Sequence, residues 1–204
     1  MMPASNSSVS TRRSCSDDPL GSSAGGMPAW QAYADEVITF CDTSRQLPAM
    51  ECVSCQQNAH LAELPARDRI SLGDYWRVAH AWSALPGWLV VISTRHIVEL
   101  AELSADEATE LGFLLQRTSV ALRTVIGCKK TYIAQFGEQS GFEHLHVHIV
   151  PRMEDFDKHH LGAGVFEFLK RPETEWVSVQ TRDRLALELA EVLHLLSDLS
   201  ASSV

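Results

Sequence analysis

The 204-residue sequence has few cysteines, no long apolar run and no excess of basic residues. Its five cysteines are too few, and of the wrong parity, for a disulfide scaffold, which favours a cytoplasmic protein in a reducing environment. No apolar stretch approaches the roughly 20 residues of a membrane-spanning helix, so we expect a soluble protein. A formal net charge of −9 argues against a general nucleic-acid binder, since that function needs a clustered basic surface.

Composition along the chain predicts a main domain with an extension at each end. Residues 1–28 are rich in Ser, Gly and Pro, which is typical of a disordered tail. Apolar residues at helical spacing predict a helical extension over residues 29–50. We expect the main domain over residues 51–153, with residues 154–204 forming a loop and a helix that pack on it.

Short apolar runs separated by turns predict a strand-rich first half of the main domain. The three strands expected there are Arg67–Leu72, Tyr75–Trp82 and Trp88–Ser93. A fourth strand is predicted over Lys130–Phe136, and the short connection that follows favours an antiparallel hairpin with a fifth strand.

Two helices carry boundary signals in the sequence. Ser104-Ala105-Asp106-Glu107 forms a capping box, and Gly127 ends the apolar stripe behind it. Thr181 is predicted to cap the final helix, whose leucines recur on one face. Five antiparallel strands with helices on one side predict an α+β fold.

The fifth strand, within Glu143–Arg152, carries an unusual row of histidines. Because strand side chains alternate faces, His144, His146 and His148 share one side, and the apolar residues between them face a core. The row fits catalytic use, a metal-binding row or a solvated polar face. Catalytic use is favoured because histidine is the usual catalyst near neutral pH.

Cys52-Val53-Ser54-Cys55 is the second motif with chemical potential. A single Cys-x2-Cys fits zinc binding, redox chemistry or chance. The redox interpretation needs the pair to open a helix in a thioredoxin-like βαβ unit, which this pattern does not suggest. Zinc would need two further ligands.

The motifs together resemble those of the histidine-triad (HIT) family. The family pattern His-φ-His-φ-His-φ-φ, with φ apolar, is present and is followed here by Pro-Arg. Cys-x2-Cys, Pro65-Ala66, a Pro-Gly before an apolar strand leading to a histidine, and a capped helix precede it in family order. The resemblance covers roughly Cys52 to Arg152 and points to the zinc-containing, diadenosine polyphosphate hydrolase-like branch.

The resemblance implies a nucleotide hydrolase or nucleotidyl transferase. Such an enzyme, diadenosine polyphosphate hydrolase-like or phosphoramidase-like, cleaves at the α-phosphate of dinucleoside polyphosphates or adenylylated compounds through a nucleotidyl-histidine intermediate. His146 would be the nucleophile, and its other ring nitrogen would donate to a fixed acceptor such as a backbone carbonyl. His148 would hydrogen-bond the phosphate oxygens. This chemistry needs no metal.

The same resemblance implies a structural zinc ion and a homodimer. The carried-over zinc ligands are Cys52, Cys55, His96 and His144, a closed set of two thiolates and two imidazoles. Since His144 neighbours the nucleophile, the zinc would join the catalytic strand to the N-terminal segment. Family members usually form homodimers in which two sheets join.

Several positions depart from the family pattern where substrate contacts are expected. Trp88 replaces the customary histidine of Pro-Gly-His, His80 stands at the ribose position, and Gln135 stands where an Asn often occurs. Ser140 lies in a loop that replaces the usual Gly-Gln-Ser/Thr. We take His80, Trp88, Gln135 and Ser140 as the predicted substrate-binding residues.

Two other functions remain open from the sequence. One is a nucleotide-binding regulator that keeps the fold with little turnover, which Trp88, the altered loop and the extra N-terminal segment motivate. The other is a metal-dependent enzyme that uses the three histidines as one catalytic centre, although a carboxylate ligand is missing.

Overall fold

The computed structural model describes residues 52–201, which include the main domain and the final helix. The tail predicted over residues 1–28 and the helical extension predicted over residues 29–50 lie outside the described residues.

Five antiparallel strands form a single sheet in the order β1-β2-β3-β5-β4. The strands are β1 (Ser71–Leu72), β2 (Trp76–His80), β3 (Leu89–Ser93), β4 (Lys130–Phe136) and β5 (His146–Arg152). The predicted hairpin is β4–β5, and β3 pairs with the other edge of β5. The histidine strand is therefore central, and the predicted α+β class is confirmed.

In the described residues, three α-helices accompany the sheet: α1 (Val53–Asn58), α2 (Ala105–Ile126) and α3 (Val179–Ala201). Short 3₁₀ helices cover Leu61–Glu63, Ala66–Asp68, Leu100–Glu102, Lys158–His160, Gly162–Leu169 and Glu173–Glu175. Within the described residues, no helix combines the length and apolarity that a membrane span requires.

The two faces of the sheet have different covers. The helix face buries Trp76, Val78 and Val147 against leucines of α2 and α3, which is the main core. The opposite face, here called the histidine face, carries His146 and His148, and the segment Gly162–Leu169 packs beside them. Burial of each large core side chain stabilises the fold by about 1.5–3 kcal/mol.

The predicted bounds of the first two strands and of the final helix are wrong, and the second strand ends at His80 instead of Trp82. The first strand shrinks to β1, because Pro65 opens a 3₁₀ turn over Ala66–Asp68 and Arg67 turns to the Asp183 carboxylate of α3, 3.1 Å away. The final helix begins at Val179 instead of after Thr181. The Ser178 hydroxyl, rather than that of Thr181, lies 3.2 Å from the Thr181 N–H and accepts its hydrogen bond.

The capping box of α2 extends into an ion pair. Ser104 Oγ accepts from the Glu107 N–H, and Glu107 accepts from the Ser104 N–H at 2.7 Å. The same carboxylate receives two hydrogen bonds from Arg95, at 2.5 and 2.8 Å. The Arg95 guanidinium, followed by hydrogen bonds from Ser104, lowers the pKa of Glu107 to about 2.

We expect Glu107→Gln to lower the free energy of unfolding at pH 7 by about 2 kcal/mol, because the substitution removes the ion pair with Arg95. The loss is no larger because Arg95 is half-exposed and solvent screens its charge. A depressed pKa in the folded state means that the contribution is present above the unfolded pKa. It is lost as pH falls from about 4.5 toward about 2. Urea unfolding at pH 7 and pH 3 measures both effects. Glu191→Gln, at an exposed position of α3, is the control. Equal stability of wild type and Glu107→Gln at pH 7 contradicts the prediction.

Candidate functional site

The three histidines of the row do not share one site, because each ring has a different partner. His146 and His148 lie within β5, and His144 precedes its first residue. The intervening Leu145 and Val147 are buried in the main core. His144 joins a cysteine–histidine cluster, His146 contacts the backbone, and His148 contacts Trp88.

Cys52, Cys55, His96 and His144 form that cluster. Their ligand atoms all lie within 4.8 Å of one another. Cys52 Sγ lies 3.4 Å from His144 Nδ1, and Cys55 Sγ lies 3.3 Å from His96 Nδ1. Cys52 is the N-cap of α1 and Cys55 lies in its first turn. The segment after β3 supplies His96, and the approach to β5 supplies His144.

The geometry of the cluster fits a tetrahedral metal ion. Zn–S and Zn–N bond lengths place S and N ligands about 3.6 Å apart in a tetrahedral site. His144 Nε2 lies 2.8 Å from the Ser93 carbonyl oxygen and donates to it, so Nδ1 keeps its lone pair for a metal. Burial, followed by the neighbouring Cys52, raises the pKa of Cys55 to about 11, so its thiolate needs a nearby cation.

A buried arginine holds α1, the helix next to the cysteine–histidine cluster, against the sheet. Arg77 lies on the histidine face of β2 and is fully buried. Its guanidinium donates to Asn58 Oδ1 and Gln57 Oε1 on α1, each at 2.6 Å. Burial lowers the pKa of Arg77 to about 10, which leaves it charged at neutral pH. Arginine side chains are usually exposed, so the sequence does not indicate this buried contact.

The His146 ring is fixed in one tautomer by the backbone. Its Nδ1 lies 2.7 Å from the carbonyl oxygen of His144. A carbonyl only accepts hydrogen bonds, so Nδ1 carries the proton and Nε2 keeps its lone pair. The side chain is partly exposed. His146 therefore presents a nucleophilic nitrogen.

The His148 ring has the opposite tautomer. Trp88 Nε1 donates to His148 Nδ1 at 3.1 Å, so the proton of the neutral ring lies on Nε2. Burial, with a smaller effect of His146, lowers the pKa of His148 to about 4. The two rings have centroids 5.0 Å apart, so a lone pair and a neutral N–H donor lie side by side.

The structure does not bring His80 and Gln135 together with this pair. The strand register places both on the helix face, since His80 pairs with Leu89 and Gln135 pairs with Val147. His80 is 2% exposed, donates from Nδ1 to the Ala81 carbonyl and accepts at Nε2 from the Gly87 N–H. Both ring nitrogens are thus engaged by the backbone, and the ribose contact expected from His80 finds no support here.

Trp88 and Ser140 occupy different environments. Trp88 lies on the histidine face but is completely buried, so it reaches a ligand only through His148. Ser140 is exposed in the loop between β4 and β5. That loop is attached to the cluster segment, because the Val53 N–H donates to the Gly141 carbonyl at 3.0 Å.

Two phenylalanines border the histidine pair and were not predicted. The Phe166 ring centroid lies 5.9 Å from that of His148 and 5.3 Å from that of Phe136. Phe136 is 56% exposed and pairs with His146 across the hairpin. Phe166 lies in Gly162–Leu169, where the sequence lacks helical or strand periodicity, so periodicity carries no signal for this position.

This arrangement defines a class of protein: an α+β domain with a partly exposed histidine, fixed in one tautomer, on one face of an antiparallel sheet beside a cysteine–histidine cluster. Residues 62–155 match the model of the HIT domain. This part of the chain is similar to the HIT domain, and proteins of that family are nucleotide-binding hydrolases or transferases.

Solved structures share this fold. A Zn-bound histidine triad family protein from Mycobacterium smegmatis is 22% identical, with a TM-score of 0.55, covering 74% of this chain and 98% of its own. A hypothetical histidine triad nucleotide-binding protein from Sulfolobus tokodaii is 19% identical, with a TM-score of 0.54, covering 71% of this chain and 93% of its own. A histidine triad protein from Sinorhizobium meliloti is 24% identical, with a TM-score of 0.51, covering 61% and 90%. No curated protein matches the sequence.

Proposed function

We propose that this protein is a nucleotide hydrolase or nucleotidyl transferase that cleaves at the α-phosphate through a nucleotidyl-histidine intermediate. Its substrates would be dinucleoside polyphosphates or adenylylated compounds. The observation that carries the proposal is the hydrogen bond from His146 Nδ1 to the His144 carbonyl, which leaves Nε2 unprotonated. The HIT domain adds the expectation of a nucleotide ligand.

The first step would be attack of His146 Nε2 on the α-phosphorus. A P–N bond forms, the bond from phosphorus to the leaving group breaks, and its electron pair departs with the leaving group. His146 keeps its Nδ1 proton, and the carbonyl of His144 stabilises the positive ring. Water then attacks the phosphorus, which releases nucleoside monophosphate and a proton and restores the lone pair.

His148 would assist as a neutral hydrogen-bond donor. Its Nε2–H would bond a phosphate oxygen as negative charge develops there. The exposed Ser140 loop lies next to the start of β5 and would add contacts to the phosphates or the leaving group.

We propose that the cluster of Cys52, Cys55, His96 and His144 holds a structural zinc ion. The donor set is closed, and the distances between donor atoms suit a tetrahedral site. Bound there, the ion would supply a cross-link between α1, the segment after β3 and the approach to β5. No step of the proposed reaction involves it.

A nucleotide-binding regulator with little turnover is the second candidate. It is favoured by one observation: the customary histidine is replaced by Trp88, which is buried against His148. The three histidines are less suited to a single catalytic metal centre, because each ring bonds a different partner.

Product release separates enzyme from regulator. Wild-type protein would be incubated with diadenosine tri- and tetraphosphate, an adenosine phosphoramidate and an aminoacyl adenylate, and nucleoside monophosphate would be measured. Release from at least one compound, with an acid-labile nucleotidyl-protein adduct, is expected. Tight nucleotide binding without release from any compound would contradict the proposed enzymatic activity and support the nucleotide-binding regulator.

We further propose a homodimer in which two sheets join along β4. In the described part of the chain, the outer edge of this seven-residue strand has no partner strand. Ile133 and Phe136 are 49% and 56% exposed on it. Natural proteins rarely leave a long apolar edge strand uncovered, and pairing with β4 of a second copy would cover this edge.

Ile133→Lys tests this interface. We expect the substitution to raise the dimer dissociation constant at least about tenfold, because it introduces two lysines at the joined edges. Sedimentation velocity over a concentration series measures the change. Leu187→Lys, at a 65% exposed position of α3, is the control. Wild-type protein that sediments as a monomer throughout the series contradicts the proposal.

A further inference from the structure

Trp88 is placed with little freedom beside His148. Its side chain is 0% exposed, and its ring lies 5.8 Å from that of His148 at an angle of 85°. The preceding Gly87 has a φ of +77°, and a Cβ there would lie 1.9 Å from Ile126 Cδ1. A positive φ favours glycine at this turn, so the backbone entering β3 fixes where the indole begins.

The indole also restricts what His148 can do with its protons. Its Nε1–H is a donor and never an acceptor. It occupies the Nδ1 lone pair of His148 at 3.1 Å, which fixes the proton of the neutral ring on Nε2. A second proton on Nδ1 would face the indole N–H directly. The His148 ring is neutral in this site, and burial favours the same state.

A neutral ring of this kind cannot serve as a proton donor to a leaving group. If Nε2 gave up its proton, His148 would become an imidazolate, because no proton can reach Nδ1 from the indole. His148 can hydrogen-bond the substrate but keeps its proton. A histidine at position 88 would differ, since imidazole both donates and accepts and can carry a positive charge.

We propose that Trp88 is a positioning residue that restricts the enzyme to substrates whose leaving group departs as a stable anion. Phosphoanhydrides, which expel a phosphate, and acyl adenylates, which expel a carboxylate, meet this condition. Phosphoramidates do not, because an amine must gain a proton as its P–N bond breaks. The inference rests on the proposed nucleotidyl transfer and names the substrate class within it.

The tautomer can be measured without turnover. Nitrogen-15 NMR of ligand-free wild type is expected to give His148 as the neutral Nε2–H form between pH 6 and 8, with the Trp88 indole N–H coupled to Nδ1. Trp88→Phe removes the donor and is expected to give a mixture of forms. A wild-type His148 protonated at Nδ1 overturns the proposal, whether or not any variant folds.

Leaving-group selectivity is the second measurement. The ratio of kcat/KM for diadenosine triphosphate to that for an adenosine phosphoramidate is expected to fall at least about tenfold in Trp88→His. Phe166→Leu is the control: it disturbs the same aromatic cluster without touching the hydrogen bond, so rates change and the ratio stays.

The outcomes distinguish a failure of the leaving-group proposal from a failure of the proposed nucleotidyl transfer. Wild-type cleavage of neither compound contradicts the proposed function. Wild-type cleavage of both with similar efficiency contradicts only the leaving-group selectivity. An unchanged ratio in folded Trp88→His overturns the role of Trp88.

Discussion

Replacing His146 with asparagine is expected to reduce nucleoside monophosphate release by at least about a thousandfold. The asparagine amide can still donate to the His144 carbonyl, which His146 Nδ1 contacts at 2.7 Å, so the local backbone keeps its partner. What disappears is the lone pair that attacks phosphorus. Nucleotide affinity should change little, because the ring supplies chemistry more than binding.

Single-turnover assays with an α-phosphorus-labelled dinucleotide test this prediction, with release and labelled adduct followed together. His194→Asn, at an exposed position of α3, controls for the loss of a histidine that contributes to no site. A His146→Asn variant that retains more than about a tenth of wild-type release, with no contaminating activity, would mean that another group is the nucleophile.

Cys52→Ser is expected to abolish stoichiometric zinc and to destabilise the domain strongly. A metal present at a thousand times its dissociation constant stabilises the folded state by about 4 kcal/mol. For a chain of this size, that corresponds to a fall of roughly 10 °C in Tm. The effect should extend to the loop before β5, because the adjacent Val53 N–H bonds the Gly141 carbonyl.

Metal content by mass spectrometry and thermal unfolding, with and without a chelator, measure this effect. Cys128→Ala is the matched control, because Cys128 is also buried but lies outside the cluster. The control should keep one zinc per chain and respond to chelator as wild type does. Equal Tm values for wild type with and without bound zinc would contradict a structural role for the metal.

Local patterns predicted several elements of the fold from sequence. The capping box at Ser104 and the left-handed Gly127 mark the ends of α2, and the structure has the helix between them. The strand Lys130–Phe136 is β4, residue for residue. These signals succeed because they depend on hydrogen bonds and φ angles within a few residues of one another.

The candidate site is harder to predict from the sequence, because its contacts join segments that are far apart along the chain. The family resemblance predicts His80 and Gln135 as substrate contacts, but the pairing register places both on the helix face of the sheet. The hydrogen bond from Trp88 to His148 spans 60 positions. Spacing identifies which residue types are present, whereas the choice of face and partner is made by tertiary packing.

The cysteine–histidine cluster also bears on how this domain could pass between proteins in evolution. Two of its four residues, Cys52 and Cys55, precede the matched region at residues 62–155, and Phe166 follows it. A gene fusion or exchange that moved only the matched region would carry His146 and His148 without Cys52, Cys55 and Phe166. The unit that would have to move together extends from Cys52 through α3, whose leucines complete the core. Recombination breakpoints between these limits should be selected against.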